Sequence, residues 1–160
     1  MTLPPGLLMR AYQPTDRNDV WRLHLEGVPQ RTPQRADAIA EYERDLEKIE
    51  ATYLTDGSNF WVIDGPDGLV GMAAIQRIDA ETGRLRRMRV TEAWRRKGVA
   101  QALLSTAEAF CHASGYSRLI LDTTPHQTAA QALYERNGFR KTGERHLGPF
   151  LIFDYIKELH

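Results

Sequence analysis

The sequence predicts a mixed α/β domain of about seven strands and four helices, and three observations support this fold class. Two apolar runs, residues 60–63 and 69–75, are joined by Asp64-Gly65-Pro66-Asp67-Gly68, a strong turn signal typical of a β-hairpin. Apolar residues in segment 99–113 recur with helical spacing. A short apolar run at 118–122 follows, as expected of a buried strand. This alternation indicates a sheet covered by helices.

The N-terminal part of the chain predicts a strand followed by two helices. Residues 7–13 form the predicted strand, and Pro14-Thr15-Asp16 supplies a turn and an N-cap for a short helix carrying Val20, Trp21, Leu23 and Leu25. In residues 34–53, apolar side chains recur at three- and four-residue spacing, which predicts one long amphipathic helix. We interpret its acidic face as a solvated surface, although it also hints at a cationic or amine substrate. The acidic residues are Glu41, Glu43, Asp45, Glu47 and Glu50.

Residues 84–90 are predicted to form the fourth strand, with an irregularity. The candidate core residues Leu85, Met88 and Val90 are spaced three and then two residues apart. Side chains of a regular strand alternate between the two faces of a sheet, so this spacing requires one extra residue. We therefore predict a β-bulge near residues 86–88.

The remainder of the chain continues the alternation of helices and strands. The predicted elements are a helix at 99–113 ending near Gly115, a buried strand at 118–122, a helix at 128–137 ending at Gly138, and two strands at 139–144 and 150–156. The sequence contains no repeats, low-complexity segments or long linker. Residues 1–160 are therefore predicted to form a single domain.

Composition and charge argue against several functional classes. Apolar residues make up 42% of the chain, charged residues 26%, and the formal net charge is zero, which does not favour a general nucleic-acid binder. No apolar run approaches the ~20 residues of a membrane helix, and the N-terminus lacks the pattern of a secretory signal, so we expect a cytoplasmic protein. The single cysteine, Cys111, is predicted to be buried rather than catalytic. The five histidines form no close ligand pair, so no metal site is predicted.

Positive charge is concentrated just before the long helix. Seven of the 21 Lys and Arg residues lie within residues 84–97. The segment Arg95-Arg96-Lys97-Gly98-Val99-Ala100 places a basic glycine turn between a strand and a helix. The first N–H groups of a helix have no intrahelical acceptors and carry the positive end of the helix dipole. This segment therefore predicts an anion site, with phosphate as the natural ligand.

Two motifs together resemble those of a known family. The basic turn has the pattern R-x-x-G-x-A, and residues 127–139 are similar to N-x-x-A-x-x-L-Y-x-x-x-G-F, with Gln127 first and Tyr134 at the tyrosine. In this order and spacing they resemble the motifs of the GCN5-related N-acetyltransferases, the GNAT family, and the resemblance covers about residues 60–153. Within the family, the chain is most similar to general N-acetyltransferases. The segment Leu121-Asp122-Thr123 followed by Gln127 is similar to the camello-like subgroup.

The resemblance implies how a cofactor is held. The bulged fourth strand and the fifth strand are expected to splay apart and leave a cleft for the pantetheine arm of acetyl-CoA, the implied cosubstrate, with no metal. Backbone groups of the fourth strand would bind the pantetheine, and amides of the basic turn would bind the pyrophosphate. The implied cofactor-binding residues are Met88, Arg89, Val90, Arg95, Arg96, Lys97, Gly98, Val99, Ala100, Gln101, Gln127 and Tyr134.

The resemblance also implies the catalytic groups. A tyrosine at the position of Tyr134 donates a proton or a hydrogen bond to the departing CoA thiolate. Many family members use a glutamate of the fourth strand as general base, but Arg84 occupies that position here. The candidate bases are then Glu81, Asp122 and His126, and a chain of water molecules leading to bulk solvent is an equal alternative.

The implied activity is direct transfer of an acetyl group from acetyl-CoA to a primary amine of a small molecule or protein. Because Arg84 and Gln127 replace the usual family residues, a catalytically degenerate acyl-CoA sensor or regulatory module is the alternative. The sequence leaves the acceptor and the oligomeric state open, although homodimers are common in the family. No nucleic-acid or membrane partner is expected.

Overall fold

The computed structural model describes residues 3–159 and contains one seven-stranded mixed sheet with the order β1-β2-β3-β4-β5-β7-β6. The predicted fold class is confirmed. The strands are β1 (Leu8–Ala11), β2 (Asn59–Gly65), β3 (Gly68–Asp79), β4 (Thr82–Val90), β5 (Arg118–Thr123), β6 (Arg140–Leu147) and β7 (Phe150–Glu158). The helices are α1 (Arg17–Leu25), α2 (Ala36–Glu43), α3 (Ile49–Tyr53), α4 (Val99–Ala113) and α5 (Thr128–Arg136).

The prediction of one continuous helix over residues 34–53 is wrong. The segment divides into α2, a 3-10 turn at Leu46–Lys48 and α3. The break contains Asp45, whose carboxylate is buried against the Arg87 guanidinium and the Tyr53 hydroxyl. A buried ion pair of this kind outweighs the modest helix propensity of the intervening residues.

The interpretation of the acidic face as solvated is also wrong for two of its residues. Asp45 is buried, and so is Glu43, which is bonded to His24 Nε2 at 2.8 Å and to Arg31. Burial lowers the pKa of His24, so the ring is neutral at pH 7. These carboxylates are internal partners and are not available to attract a cationic ligand.

Two hydrophobic layers lie on opposite faces of the sheet. Alternate residues of β2 supply them: Trp61 and Ile63 pack under α4, whereas Phe60 and Val62 pack under α1 and α3. Burial on both faces explains why β2 and β3 read as nearly continuous apolar runs. Among the described residues, no helix is both long and apolar enough to cross a membrane.

The predicted bulge in β4 is confirmed. Ala74 pairs with Arg86 and Met72 with Arg89, so Arg87 and Met88 together oppose a single residue of β3. Arg87 has φ 60, a left-handed conformation that is unusual for a residue other than glycine. Its guanidinium is buried against Asp45 and lies 4.4 Å from the centre of the Tyr42 ring. We infer that these contacts hold the backbone in this conformation.

The predicted splay of β4 and β5 is present as well. These parallel strands pair only through Thr82, Gly83 and Arg84 of β4, opposite Arg118 to Ile120 of β5. Beyond Arg84 the two strands separate, and β5 continues with β7 as its antiparallel neighbour. The edge of β4 that carries the bulge is therefore left without a strand partner.

Candidate active site

The basic turn between β4 and α4 has the geometry of an anion site. Arg96 and Gly98 both adopt left-handed conformations, with φ 62 and φ 81. The Ala102 N–H donates to the Gly98 carbonyl at 3.0 Å as part of the first turn of α4, so the N–H groups of Val99, Ala100 and Gln101 precede any intrahelical acceptor. Successive amides at the positive end of a helix dipole favour a phosphate group.

Side chains of the turn contribute both charge and anchoring. Arg95, Arg96 and Lys97 are all exposed. Arg95 Nε donates to the Val90 carbonyl at 3.1 Å, which ties the turn to the end of β4. The Gln101 side chain makes two reciprocal hydrogen bonds of 3.0 and 2.9 Å with Asn137, and so links α4 to the end of α5. The group that Gln101 offers to a ligand of the turn is therefore its backbone N–H.

The splay cleft is the narrow cavity between β4, β5 and α5. Its walls include the bulge residues, Asp122, Ala130 and Tyr134. Met88 and Arg89, predicted to bind pantetheine, line it, and Val90 continues the same edge towards the basic turn. The cleft thus leads from the unpaired edge of β4 to the side chain of Tyr134.

Tyr134 is buried in α5, with 5% of its surface exposed. Its ring packs 5.7 Å from Phe139 and 6.4 Å from Tyr155, centre to centre. Its hydroxyl makes no hydrogen bond to another residue in 3–159, although the side chain lines the splay cleft. Burial raises the pKa of Tyr134, so the hydroxyl stays protonated well into the alkaline range. It is an unused donor beside an unpaired strand edge.

Two larger cavities open from the splay cleft. The loop cavity, about 600 Å³, lies among the α1–α2 loop, the loop after β5 and the β6–β7 hairpin. The basic cavity, about 500 Å³, lies between α2, the 3-10 turn, β4 and Arg145 of β6. Tyr42 and Asp122 line all three spaces. We call the place where the three cavities meet, lined by Tyr42 and Asp122, the junction.

The three candidate bases occupy different positions. Asp122 lies at the junction: its Oδ2 accepts from Arg84 at 2.5 Å and Arg145 at 2.9 Å, whereas Oδ1 has no donor among residues 3–159. His126 is exposed and lines the loop cavity. Glu81 lies in the turn where β4 and β5 are paired; its carboxylate is exposed and lines none of the three cavities, so the structure does not bring it to the junction.

Gln127 lies at the N-cap position of α5, but its side chain turns back towards β5. Its Oε1 accepts from the Thr123 hydroxyl at 2.6 Å and from the Thr124 N–H at 3.3 Å. The amide oxygen is therefore used to fix the end of β5. Gln127 lines the splay cleft and the loop cavity, so contact between this residue and the cofactor stays a prediction.

Several residues of the site were missed by the sequence analysis. Asp45 and Arg87 were not recognised as partners, and no sequence pattern placed Tyr42 and Arg145 beside the same cavity. The isolated spacing irregularity in β4 was the one sequence signal near them. Cys111, by contrast, is buried as predicted, and burial raises the pKa of its thiol to about 12, which keeps it unreactive.

Comparison with known proteins agrees with this geometry. The model of the acetyltransferase (GNAT) family matches residues 19–139, most of the chain. The chain belongs to the GNAT family. Among curated proteins, this GNAT domain is 40% identical over 122 residues to human N-acetyltransferase 8, covering 72% of the chain and 52% of that relative. It is 43% identical over 102 residues to the N-acetylaspartate synthetase of Danio rerio, covering 62% of the chain and 36% of the relative.

This GNAT domain therefore spans about half the length, or less, of these curated relatives. Solved structures share its fold at lower identity. An acetyltransferase from Streptococcus agalactiae has a TM-score of 0.80 at 22% identity, covering 97% of this chain and 99% of its own. A GNAT family acetyltransferase from Elizabethkingia anophelis, solved with acetyl-CoA bound, has a TM-score of 0.65 at 19% identity, covering 98% and 100%. The predicted family, with its camello-like branch, is confirmed.

Proposed function

We propose that this GNAT domain transfers the acetyl group of acetyl-CoA directly to a primary amine of a small molecule or protein. The observation that carries the proposal is the unpaired, bulged edge of β4, which runs from the anion-binding turn to the unbonded hydroxyl of Tyr134. The acetyl-CoA found in the Elizabethkingia relative and the N-acetyl transfer named for the curated relatives support the same assignment.

In this proposal each part of the cofactor meets a group suited to it. The amides of the turn and of the first residues of α4 bind the pyrophosphate, with charge supplied by Arg95, Arg96 and Lys97. The free edge of β4 at Met88 to Val90 pairs with the pantetheine amides as an added strand. The thioester then lies in the splay cleft beside Tyr134.

The transfer forms one bond and breaks one. The amine nitrogen attacks the thioester carbonyl, the new C–N bond forms, and the C–S bond breaks with the electron pair on sulfur. Tyr134 donates a hydrogen bond to the departing thiolate, which gains a proton and leaves as free CoA. A thiolate whose conjugate acid has a pKa of ~8.5 is a weaker base than even an unperturbed tyrosinate, so full proton transfer from Tyr134 is uphill by at least about 2 kcal/mol. Hydrogen bonding is therefore its principal contribution.

The amine must lose a proton before it attacks. An alkylamine with a pKa of ~10.4 carries a cost of about 4.6 kcal/mol for the neutral form at pH 7. In our proposal Oδ1 of Asp122, at the junction of the cavities, accepts this proton directly or through water. Arg84, which occupies the family's glutamate position, takes part by holding Oδ2 of the same carboxylate.

The test is release of free CoA thiol from acetyl-CoA in the presence of a panel of primary amines. We expect amine-dependent release and a product acetylated at nitrogen by mass spectrometry. Saturable binding of acetyl-CoA without turnover on any amine would instead support the acyl-CoA sensor.

Gly98 offers a matched test of the cofactor site. Gly98 and Gly115 flank α4 and have φ 81 and φ 80, so alanine at either position incurs a similar backbone cost of about 1–2 kcal/mol. We expect Gly98→Ala to raise the KM for acetyl-CoA about tenfold, because it shifts the amides that hold the pyrophosphate. Gly115→Ala should lower stability equally and leave that KM unchanged. Equal KM values in the two variants would contradict the assignment of the turn.

A further inference from the structure

The basic cavity holds more positive charge than its own carboxylates neutralise. Its acidic residues are Glu41, Asp45 and Asp122. Its basic residues are Arg44, Lys48, Arg84, Arg86 and Arg145. The lining therefore carries a formal charge of five minus three, or +2, in a chain whose overall net charge is zero.

Two of the three carboxylates are already committed. Asp45 is held by Arg87 from the bulge and by Arg86, with an Arg86 to Asp45 distance of 3.2 Å. Asp122 accepts from Arg84 and Arg145 through a single oxygen. Apart from Glu41, which is exposed at the wall, and Oδ1 of Asp122 at the inner end, a cationic group entering this cavity would meet guanidinium groups and no free carboxylate.

Two cations of the cavity have no counter-ion in the part of the chain that the structure describes. Arg44 and Lys48 come from the segment between α2 and α3 and are exposed at the wall. Within residues 3–159, neither makes a side-chain hydrogen bond or an ion pair. Arg84 and Arg86 stand opposite on β4, two residues apart and hence on the same face of the strand. An anionic group bound between the wall that carries Arg44 and Lys48 and the wall formed by β4 would receive hydrogen bonds from both.

We infer that the acceptor is an amine that also bears a carboxylate. This inference rests on the proposed function and names its substrate class. The carboxylate binds in the basic cavity among Arg44, Lys48 and Arg86, and the amine lies at the junction against Oδ1 of Asp122. From there the nitrogen faces the splay cleft and the thioester. Polycationic amines are excluded as good acceptors by the same charges.

The first experiment compares acceptors that differ only in the carboxylate. Leucine, leucinamide and 3-methylbutylamine share the same side chain and primary amine; the carboxylate is replaced by a neutral amide in the second and is missing from the third. Other amino acids can be tested as the same kind of set. We expect kcat/KM for the amino acid to exceed that for its amide and its decarboxylated amine by at least about tenfold. Spermidine should be the poorest acceptor.

The second experiment removes the unpaired charges. Because the side chains of Arg44 and Lys48 have no partner within residues 3–159, Arg44→Gln and Lys48→Gln should fold normally. Each is expected to raise the KM for the amino acid about tenfold while leaving kcat on the amide and the KM for acetyl-CoA unchanged. Lys141→Gln removes one exposed charge from β6, which lines the cavity only through Arg145 and Leu147, and should change none of these constants.

The outcomes separate the inference from the proposed function. If amines without a carboxylate, or spermidine, are acetylated as fast as amino acids, the inference is overturned and the proposed acetyl transfer is not. Calorimetric binding of an N-acetylamino acid in the presence of CoA provides a readout that does not need turnover. Binding that weakens in Lys48→Gln supports the carboxylate site even if no amine is acetylated. No binding and no turnover overturns both.

Discussion

Tyr134→Phe is expected to lower kcat at least about 100-fold while leaving the KM for acetyl-CoA unchanged. The substitution removes a hydroxyl and retains the ring, which packs against Phe139 and Tyr155. The Tyr134 hydroxyl has no hydrogen-bond partner among residues 3–159, so its loss should not lower the free energy of unfolding. Steady-state CoA release and a denaturant titration measure the two effects separately.

Tyr155→Phe is the matched control. Tyr155 lies in the same aromatic cluster, but its hydroxyl donates to Glu135 at 3.0 Å and its side chain lines none of the three cavities. We expect this variant to lose about 1 kcal/mol of stability and to retain kcat. If both variants kept full kcat, Tyr134 would have no part in the chemistry.

The raised pKa of Tyr134 also predicts that the wild-type rate does not fall between pH 8 and about 10 through loss of this proton.

Asp45→Asn is expected to lower the free energy of unfolding by about 3–5 kcal/mol, because it leaves the guanidinium of Arg87 buried without a counter-charge. The same carboxylate accepts from the Tyr53 hydroxyl and interrupts the helix between α2 and α3. Combining the change with Arg87→Met should restore part of the loss, since no isolated charge is then buried. Urea titrations of the single and double variants provide the measurement.

An exposed ion pair provides the comparison for this prediction. Glu144→Gln breaks a 2.6 Å contact with Lys141 on the surface of β6 and should cost less than about 1 kcal/mol. The two losses should also differ in their pH dependence. Burial opposes ionisation of Asp45, but hydrogen bonding and charge from Arg87 outweigh it and lower the pKa below its usual value. The stabilisation from Asp45 is then present above about pH 4, the unfolded pKa, and is lost as pH falls through the folded pKa. A loss of similar size for both variants would contradict the role given to Asp45.

The elements near the proposed cofactor site were well predicted because their signals are local. The turn at Arg95 to Ala100 requires a glycine at positive φ and a helix start, and both are written in consecutive residues. The bulge in β4 could be predicted from three apolar positions because strand side chains alternate strictly. Tyr134 was located by a motif within one helix.

Local patterns along the chain were therefore enough to predict the mixed sheet, the bulge, a basic turn suited to an anion, and the family. Packing in three dimensions sets which charged side chains form ion pairs and which stay unpaired. Asp45 and Arg87 lie 42 residues apart, so no local pattern in the sequence contains both of them. Their pairing lies at the break in the predicted helix and buries one carboxylate of a face that was predicted to be solvated. The charge left facing the basic cavity is positive because ion pairs form between residues brought together by packing, and no period or spacing in the chain encodes that choice.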